Sequence, residues 1–245
     1  MGTDFPRLRD RCCSASGGLL WHWRALRARN TLWRPFRENL ALWLDAWRPA
    51  SSRLVLVGPS AGWTLPASLL ARFEEIIALE PDPLARFLLK HRFAGARLRF
   101  SRLDLFAPGG LKALHRLFPG HALLFCNVLG QLSPEPGAQA WCEELRCALA
   151  GFSWASWHDL ASSERPVDRS DRLSWPAGSS FEEVLAGAWR GGEIAVRDHG
   201  TLALAGSCAF ETASWSLHSG QHHLIAWTRH DPQRLSLSER VQSRG

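Results

Sequence analysis

The sequence predicts an α/β fold in which helices pack on both faces of a mostly parallel, doubly wound sheet. Short apolar runs alternate with helical stretches from residue 53 onward, as they do in successive β-α units. Towards the carboxyl end the pattern changes to strands joined by tight turns, which indicates an antiparallel hairpin. With 245 residues, 46% hydrophobic and 21% charged, the chain can bury one large globular core.

Residues 1–50 are predicted to form an N-terminal helical cap, residues 51–232 the α/β domain and residues 233–245 a frayed tail. Within residues 19–48 the large apolar residues recur every three or four positions, and Pro35 suits the first turn of a helix. The residues with this period are Leu32, Trp33, Phe36, Leu40, Trp43 and Trp47. Contact with a membrane surface is the alternative for such a Trp-rich stretch, and packing on the core is the favoured interpretation.

Five parallel strands with helices between them are expected in the domain. The strands are placed at residues 53–57, 75–79, 97–101, 121–127 and 152–158, and the helices at residues 65–73, 83–93, 109–118 and 135–149. Residues 160–179 are polar and contain two prolines, so we expect a long loop there that could act as a lid. A short helix is expected at residues 181–189.

Two antiparallel hairpins are expected after this helix. The first is placed within residues 194–205 and turns at Asp198-His199-Gly200. The second is placed within residues 212–230 and turns at Ser219-Gly220.

The net charge of +6 comes almost entirely from arginine, because Lys90 and Lys112 are the only lysines. A compositional bias towards arginine is the favoured interpretation, and a phosphate-bearing partner is the alternative. No nucleic-acid-binding motif supports a nucleic acid as that partner. The cysteines lack Cys-x-x-Cys spacing, so we expect reduced thiols, with Cys126 in the core.

No apolar run reaches the roughly 20 residues of a membrane span. The first residues also lack the apolar core of a signal peptide. We therefore expect a cytoplasmic chain that has no membrane partner.

The turn Gly58-Pro59-Ser60-Ala61-Gly62 admits three interpretations. It matches the G-x-S-x-G pattern of a serine hydrolase, but the preceding strand is the first of the sheet, and Pro59 restricts a turn that already needs strain. A phosphate-binding loop would need glycine and lysine where Trp63 and Thr64 stand. A dinucleotide-binding turn would need its third glycine at Trp63.

The third interpretation, an adenosyl-ligand site, also accounts for the polar residues at the strand ends. Glu80 follows Gly58 by 22 residues, Asp104 follows Glu80 by 24, and Asn127 follows Asp104 by 23. Because parallel strands end at one edge of the sheet, these side chains should share one crevice. Glu80 could accept hydrogen bonds from two vicinal hydroxyls, and Asp104 from an adenine amino group flanked by Leu103 and Leu105.

Over residues 53–229 this pattern resembles the class I S-adenosylmethionine-dependent methyltransferases. The resemblance implies a seven-stranded sheet whose last two strands form an antiparallel hairpin, and S-adenosylmethionine as the cofactor. It also implies that the turn containing Gly58, Pro59, Ser60 and Gly62 faces the methionine moiety of that cofactor. By the same resemblance Glu80 holds the ribose, Asp104 and Leu105 hold the adenine, and Asn127 lines the methyl-transfer end.

The segment Asn-Val-Leu-Gly-Gln-Leu, which begins at Asn127, is similar to the strand-four motif of methyltransferases that act on small molecules. The expected partner is therefore a small-molecule substrate. Two positions depart from the family pattern, because Leu56 stands where the family has an acid and Ser60 where it has a glycine. A non-enzymatic binding or scaffold protein of the same fold therefore remains an alternative.

His158 and Asp159, at the end of the fifth predicted strand, are the candidate catalytic residues, with the histidine taking a proton from the methyl acceptor. His222 and His223 are adjacent and point to opposite faces of a strand, so no metal site is expected there. Trp63 and Trp175 could stack on a ligand, whereas most tryptophans are expected in the core.

Overall fold

The computed structural model describes residues 5–11, 18–129, 138–169, 172–197, 204 and 209–232. The helices are α1 (Gly18–Ala28), α2 (Arg34–Ala46), α3 (Ala67–Leu70), α4 (Pro83–Arg92), α5 (Gly110–Leu117), α6 (Ala138–Leu149) and α7 (Phe181–Ala188). The strands are β1 (Arg53–Val57), β2 (Glu75–Leu79), β3 (Leu98–Ser101), β4 (Ala122–Cys126), β5 (Trp154–Ser163), β6 (Leu173–Trp175), β7 (Ala195–Val196), β8 (Phe210–His218) and β9 (Gln221–His230).

The strands form one sheet in the order β3-β2-β1-β4-β5-β9-β8-β6, and β7 pairs with β5. Strands β3 to β5 of this order run parallel, whereas β9, β8 and β6 add to it in antiparallel pairs. The α/β fold with a mostly parallel centre and a carboxyl-terminal hairpin is therefore confirmed. Within the described residues the sheet has nine strands, where seven were expected, because β6 and β7 add short pairings that carry no clear sequence pattern.

The central parallel strands β1 and β4 are buried on both faces because helices cover each side. On β1, Leu54 and Leu56 pack in the core cluster that contains residues of α2 and α3. Val55 and Val57 pack in the cluster that contains residues of α5 and α6. Side chains alternate between faces along a strand, so a continuous apolar run is what this two-sided core requires.

Residues 19–48 form two helices, α1 and α2, and Pro35 lies in the first turn of α2 as predicted. Trp33, between them, is fully buried and donates its indole N–H to the carbonyl of Leu217. The predicted packing of this stretch on the core is thus observed. None of the described helices is long and apolar enough to cross a bilayer.

Residues 5–11 form an extended segment, here called the strap, that crosses the carboxyl ends of β2 and β3. The amide of Leu8 donates to the carbonyl of Arg102 (2.7 Å), and the amide of Asp104 donates to the carbonyl of Pro6 (2.8 Å). Arg11 donates to the carbonyl of Pro81 in the same way (3.2 Å). The strap therefore covers part of the edge at which the ligand crevice is predicted.

The loop predicted at residues 160–179 is wrong over two segments. Strand β5 continues through Ser163, and residues 173–175 form β6. The continuation has two causes: Leu160 and Ala161 are buried in a third core cluster, and β9 offers backbone partners as far as His222. A register shift between Asp159 and Ala161 accommodates the change.

The hairpin predicted within residues 212–230 is confirmed, because β8 ends at His218 and β9 begins at Gln221. Of the earlier predicted hairpin, β7 pairs with β5, and the turn at residues 198–200 lies outside the described residues, as does most of the segment that follows it. The tail at residues 233–245 also lies outside them. Cys126 is a buried core residue, as predicted, and burial raises the pKa of its thiol well above the ordinary value.

Candidate functional site

The glycine turn after β1 holds three alternate residues in the left-handed region. Gly58, Ser60 and Gly62 have φ values of 63°, 49° and 65°. At Gly58 a Cβ atom would lie 2.1 Å from Val128 Cγ1, so the glycine is required both by its φ and by the close approach of Val128. Ser60 adopts a left-handed conformation that favours glycine and is strained for a residue with a side chain.

Glu80, the first residue after β2, binds this turn. Its Oε2 accepts the N–H of Ser60 (2.7 Å), and its Oε1 accepts the N–H of Asp82 (2.9 Å). Burial raises the pKa of Glu80 to about 7, because the loss of hydration outweighs the two backbone hydrogen bonds that favour the ionised form. Near neutral pH the protonated and ionised forms of Glu80 are therefore comparably populated.

Helix α1 lies against the outside of the turn. Trp21 Nε1 donates to Ser60 Oγ (3.2 Å), and Trp63 Nε1 donates to His22 Nδ1 (3.0 Å). An indole N–H can only donate, so Nδ1 of His22 is the acceptor and Nε2, 3.4 Å from Asp82 Oδ2, holds the proton. Burial lowers the pKa of His22, in agreement with a neutral ring.

Asp104 and Leu105 lie at the carboxyl end of β3. Asp104 Oδ1 accepts the backbone N–H groups of Phe106 and Ala107 (both 3.2 Å) and so shapes the local turn. Leu105 is buried, as is Leu103, and both belong to the core cluster on the α5 and α6 side of the sheet. The strap lies over this strand end and bonds to the amide of Asp104.

Asn127, directly after β4, is partly buried and begins a chain of three polar side chains, of which the other two are buried. Asn127 Nδ2 donates to Asp159 Oδ2 (3.2 Å), and Asp159 Oδ1 lies 3.0 Å from His223 Nδ1 on β9. His158 projects to the opposite face of β5, where its Nδ1 lies 3.2 Å from Ser156 Oγ. The imidazole that contacts Asp159 is thus His223 and not its neighbour in sequence.

The chain of polar groups ends in two atoms without partners. Asn127 Oδ1 and His223 Nε2 are buried, and neither has a hydrogen-bond partner within the described residues. A carboxylate can only accept, so His223 carries its proton on Nδ1 and presents a lone pair at Nε2. Buried polar atoms left in this way at a sheet edge indicate a place for a ligand.

His223 was missed as a site residue because its contact with Asp159 depends on the antiparallel register between β5 and β9. The sequence shows only that His222 and His223 are adjacent. In a strand such neighbours point to opposite faces, which does not reveal what either one contacts. His222, on the other face, lies with Nδ1 2.7 Å from Ser216 Oγ. In the described part of the chain no group of three His, Cys, Asp or Glu side chains could hold a metal ion.

The two tryptophans considered for ligand stacking are both engaged in packing. Trp63 is buried, and the guanidinium of Arg92 lies 4.1 Å from its ring centroid. Trp175 Nε1 donates to Thr212 Oγ1 (2.8 Å), and its ring packs on Gly187 of α7. Leu56, where the resembling family has an acid, is fully buried in the core, and the turn takes its carboxylate contact from Glu80 instead.

No protein-family model matches the chain, and no curated protein does. Among solved structures, the chain is similar to the N-methyltransferase NodS from Bradyrhizobium japonicum WM9, with a TM-score of 0.46 and 13% identity over 82% of this chain and 97% of that one. A second is magnesium protoporphyrin IX methyltransferase from Synechocystis PCC 6803 with bound S-adenosylhomocysteine (TM-score 0.43, 11% identity, 86% and 89% covered). A third is an amino pentose methyltransferase from Micromonospora echinaspora (TM-score 0.40, 18% identity, 84% and 95% covered). At these identities the likeness is one of fold alone.

Proposed function

We propose that the chain is an S-adenosylmethionine-dependent methyltransferase that acts on a small molecule. The observation that carries the proposal is the bond between the glycine turn and the acid after β2, in which Ser60 N–H lies 2.7 Å from Glu80 Oε2. This bond lies at the carboxyl edge of the sheet, where the strand order changes direction between β1 and β4. Open parallel sheets bind their ligands at such a point.

The residues at this edge fit the adenosyl part of the cofactor. An ionised carboxylate has about four acceptor positions, and Glu80 uses two of them on backbone N–H groups, so two remain for vicinal ribose hydroxyls. Asp104 uses Oδ1 within its own turn, and Oδ2, which no described residue bonds, could accept from an adenine amino group. The left-handed turn at Gly58 brings backbone, without side chains, next to the place of the methionine part.

The acceptor side of the proposed site is built from Asn127, Asp159 and His223. When bound, S-adenosylmethionine supplies an activated methyl group, and the chain has to hold the acceptor and remove its proton. Asp159 orients the ring of His223 through Nδ1. Nε2 can then take a proton from a hydroxyl or amine of the acceptor while the oxygen or nitrogen of that group receives the methyl group. Asn127 Oδ1 can accept a second hydrogen bond from the acceptor. In this proposal His223 takes the role that the sequence suggested for His158.

Calorimetric titration with S-adenosylhomocysteine tests the cofactor site. We expect a dissociation constant in the micromolar range, and a loss of about tenfold or more in Glu80→Ala and in Asp104→Ala, because each removes a charge-assisted hydrogen bond. Glu74→Ala, which removes an exposed acid directly before β2, is the control and should bind normally. A folded wild-type chain that does not bind S-adenosylhomocysteine would overturn the proposal.

The tautomer of His223 tests the acceptor side without a known substrate. Long-range ¹H–¹⁵N NMR should show the proton on Nδ1 and a free lone pair on Nε2, because the Asp159 carboxylate accepts from Nδ1. Asp159→Asn should remove this preference, whereas Asp168→Asn, in a surface loop before α7, should leave it unchanged. A proton found on Nε2 in the wild type would contradict the assignment of His223 as a base.

A binding or scaffold protein is the second candidate, and the buried Leu56 favours it because the resembling family has an acid there. It predicts that S-adenosylhomocysteine binds but that no acceptor in a broad panel takes a labelled methyl group. The hydrolase alternative requires a reactive Ser60 hydroxyl, which instead accepts the indole N–H of Trp21. Fluorophosphonate labelling that is lost in Ser60→Ala would nevertheless favour the hydrolase.

A further inference from the structure

Two arginines lie near the ring of Trp63, and a third is hydrogen-bonded to one of them. The guanidinium carbon of Arg92, on α4, lies 4.1 Å from the ring centroid, and that of Arg29, just after α1, lies 5.5 Å from it. Arg37 of α2 joins them, since its Nη1 donates to the carbonyl of Arg29 (2.7 Å). All three side chains are partly buried, and they lie beside the glycine turn, because Arg92 Nη2 also donates to the carbonyl of Gly62 (3.2 Å).

No carboxylate of the described residues forms an ion pair with any of these three arginines. Glu38, the neighbour of Arg37 in sequence, pairs with Arg34 instead (3.2 Å). Other arginines of the described chain do have acidic partners: Arg34, Arg48, Arg72, Arg86, Arg99, Arg102, Arg146 and Arg172. The charges of Arg29, Arg37 and Arg92 thus have no acidic partner among the described residues, although the three side chains are partly buried.

The cluster also has unused donors. The Nε atoms of Arg29, Arg37 and Arg92 are buried and have no hydrogen-bond partner within the described residues. Burial, followed by repulsion from Arg29 and Arg37, lowers the pKa of Arg92 to about 10. Burial and the charge of Arg29 likewise lower the pKa of Arg37, against a smaller opposing effect of Glu38. The native structure thus holds three mutually repelling cations whose donors are incompletely satisfied, an arrangement that an anion would stabilise.

We propose that Arg29, Arg37 and Arg92 form a binding site for a phosphoryl group carried by a small molecule. Guanidinium groups present planar pairs of N–H donors that match the oxygens of a phosphate, and a tetrahedral dianion can accept from several of them at once. Trp63 fixes the directions of two of these side chains by stacking. The site does not depend on the proposed methyl transfer, although it adjoins the turn through Gly62.

Binding of inorganic phosphate is the first test, with the full chain at constant ionic strength and potassium chloride as the reference salt. Phosphate should raise the midpoint of thermal unfolding relative to chloride, because a ligand that binds only the folded state stabilises it. Calorimetry should give an affinity that falls by about tenfold or more in Arg37→Gln, which loses one charge-assisted contact. Arg27→Gln, an exposed position of α1, is the matched control and should bind phosphate normally.

Stability without phosphate separates a binding site from a structural cluster. In chloride alone, Arg37→Gln should have the same unfolding midpoint as the wild type or a higher one, because the relief of repulsion at least offsets the loss of the hydrogen bond to the carbonyl of Arg29. A lower midpoint in chloride together with an unchanged response to phosphate would make the cluster structural and overturn the proposal. Equal midpoints of the wild type in phosphate and chloride would overturn it as well.

The source of the phosphoryl group is tested by competition. A phosphate monoester such as glycerol phosphate should compete with inorganic phosphate and lose affinity in Arg37→Gln. A single-stranded oligonucleotide is the second competitor. If it binds the wild type, is not displaced by phosphate and binds Arg37→Gln equally well, it occupies a surface outside the arginine cluster. Failure of glycerol phosphate to compete would overturn the assignment to a small phosphorylated molecule.

Discussion

The contacts of Ser60 distinguish a hydrolase from an adenosyl-ligand site as the interpretation of the glycine turn. Its backbone takes a left-handed φ of 49°, its N–H bonds to Glu80, and its hydroxyl accepts the indole N–H of Trp21. The backbone thus serves the turn, and the hydroxyl holds α1 in place. A glycine could form the turn equally well, so the side chain of Ser60 is needed only for the hydrogen bond to Trp21.

Ser60→Gly should change the free energy of unfolding by less than about 1 kcal/mol. Relief of the left-handed strain offsets the loss of one hydrogen bond, and both effects are of that size. Ser60→Val should destabilise by about 2 kcal/mol or more, because a β-branched residue is especially unfavourable at positive φ.

Urea unfolding measures both Ser60 variants, and Ser174→Val, at an exposed strand position, is the control that should be nearly neutral. S-adenosylhomocysteine affinity should persist in Ser60→Gly, whereas a hydrolase would lose its activity. A glycine variant less stable than the valine variant would contradict the assigned backbone role.

Strand-end acids such as Glu80 and Asp104 could be predicted from the sequence because their positions need only the end of each apolar run. His223 could not, because its place depends on which residues of β9 face Asp159 across an antiparallel pair with a register shift. The arginine cluster could not be predicted from the sequence either, because Arg29, Arg37 and Arg92 come from segments with no common motif.

At the scale of elements, α1 both completes the core and covers the turn. Its inward residue Trp21 contacts the rings of Trp33 and Trp215 at centroid distances of 5.3 and 6.3 Å. The same side chain bonds to Ser60. Trp21 thus holds the helix at the site by two kinds of contact, beside the hydrogen bond between Trp63 and His22 of the same helix.

Trp21→Phe should lower the free energy of unfolding by about 1 kcal/mol or more, since it removes a partly buried hydrogen bond and some packing. Trp23→Phe, two positions later and 58% exposed, should change it by less than about 0.5 kcal/mol. Urea unfolding monitored by far-ultraviolet circular dichroism distinguishes them. Equal effects would mean that α1 is not fixed through Trp21.

Among the elements, the parallel strands were the most predictable. The central strands β1 and β4 are buried on both faces and so appear in the sequence as short apolar runs. The end of β5 could not be predicted, because Ser162 and Ser163 look like loop residues although both are buried. Strands of two or three residues, β6 and β7, are too short to carry a period.

At the scale of the whole molecule, the buried Glu80 links stability to pH. Its pKa is about 7 in the folded chain against an ordinary value of 4.5, so the folded state holds this proton more tightly. The resulting stabilisation is fully present below pH 4.5 and is lost as pH rises towards and through 7. The change over that window is on the order of 3 kcal/mol, since each pKa unit corresponds to about 1.4 kcal/mol.

Glu80→Gln should remove this contribution, because the amide does not titrate. From pH 5 to pH 8 the wild type should therefore lose unfolding free energy relative to Glu80→Gln. Urea unfolding at both pH values gives the double difference, in which pH-independent effects of the substitution cancel. A difference that is constant with pH would contradict the raised pKa of Glu80.

The strap has a consequence for the order in which the chain can assemble during synthesis. Residues 5–11 are synthesised before β3, yet Leu8 bonds to Arg102, which follows it by 94 positions. Contacts so distant in sequence form late, because the closing loop has to be ordered first. The nascent chain therefore builds β1, β2 and β3 with their carboxyl ends uncovered, and the strap, although made before these strands, docks after them.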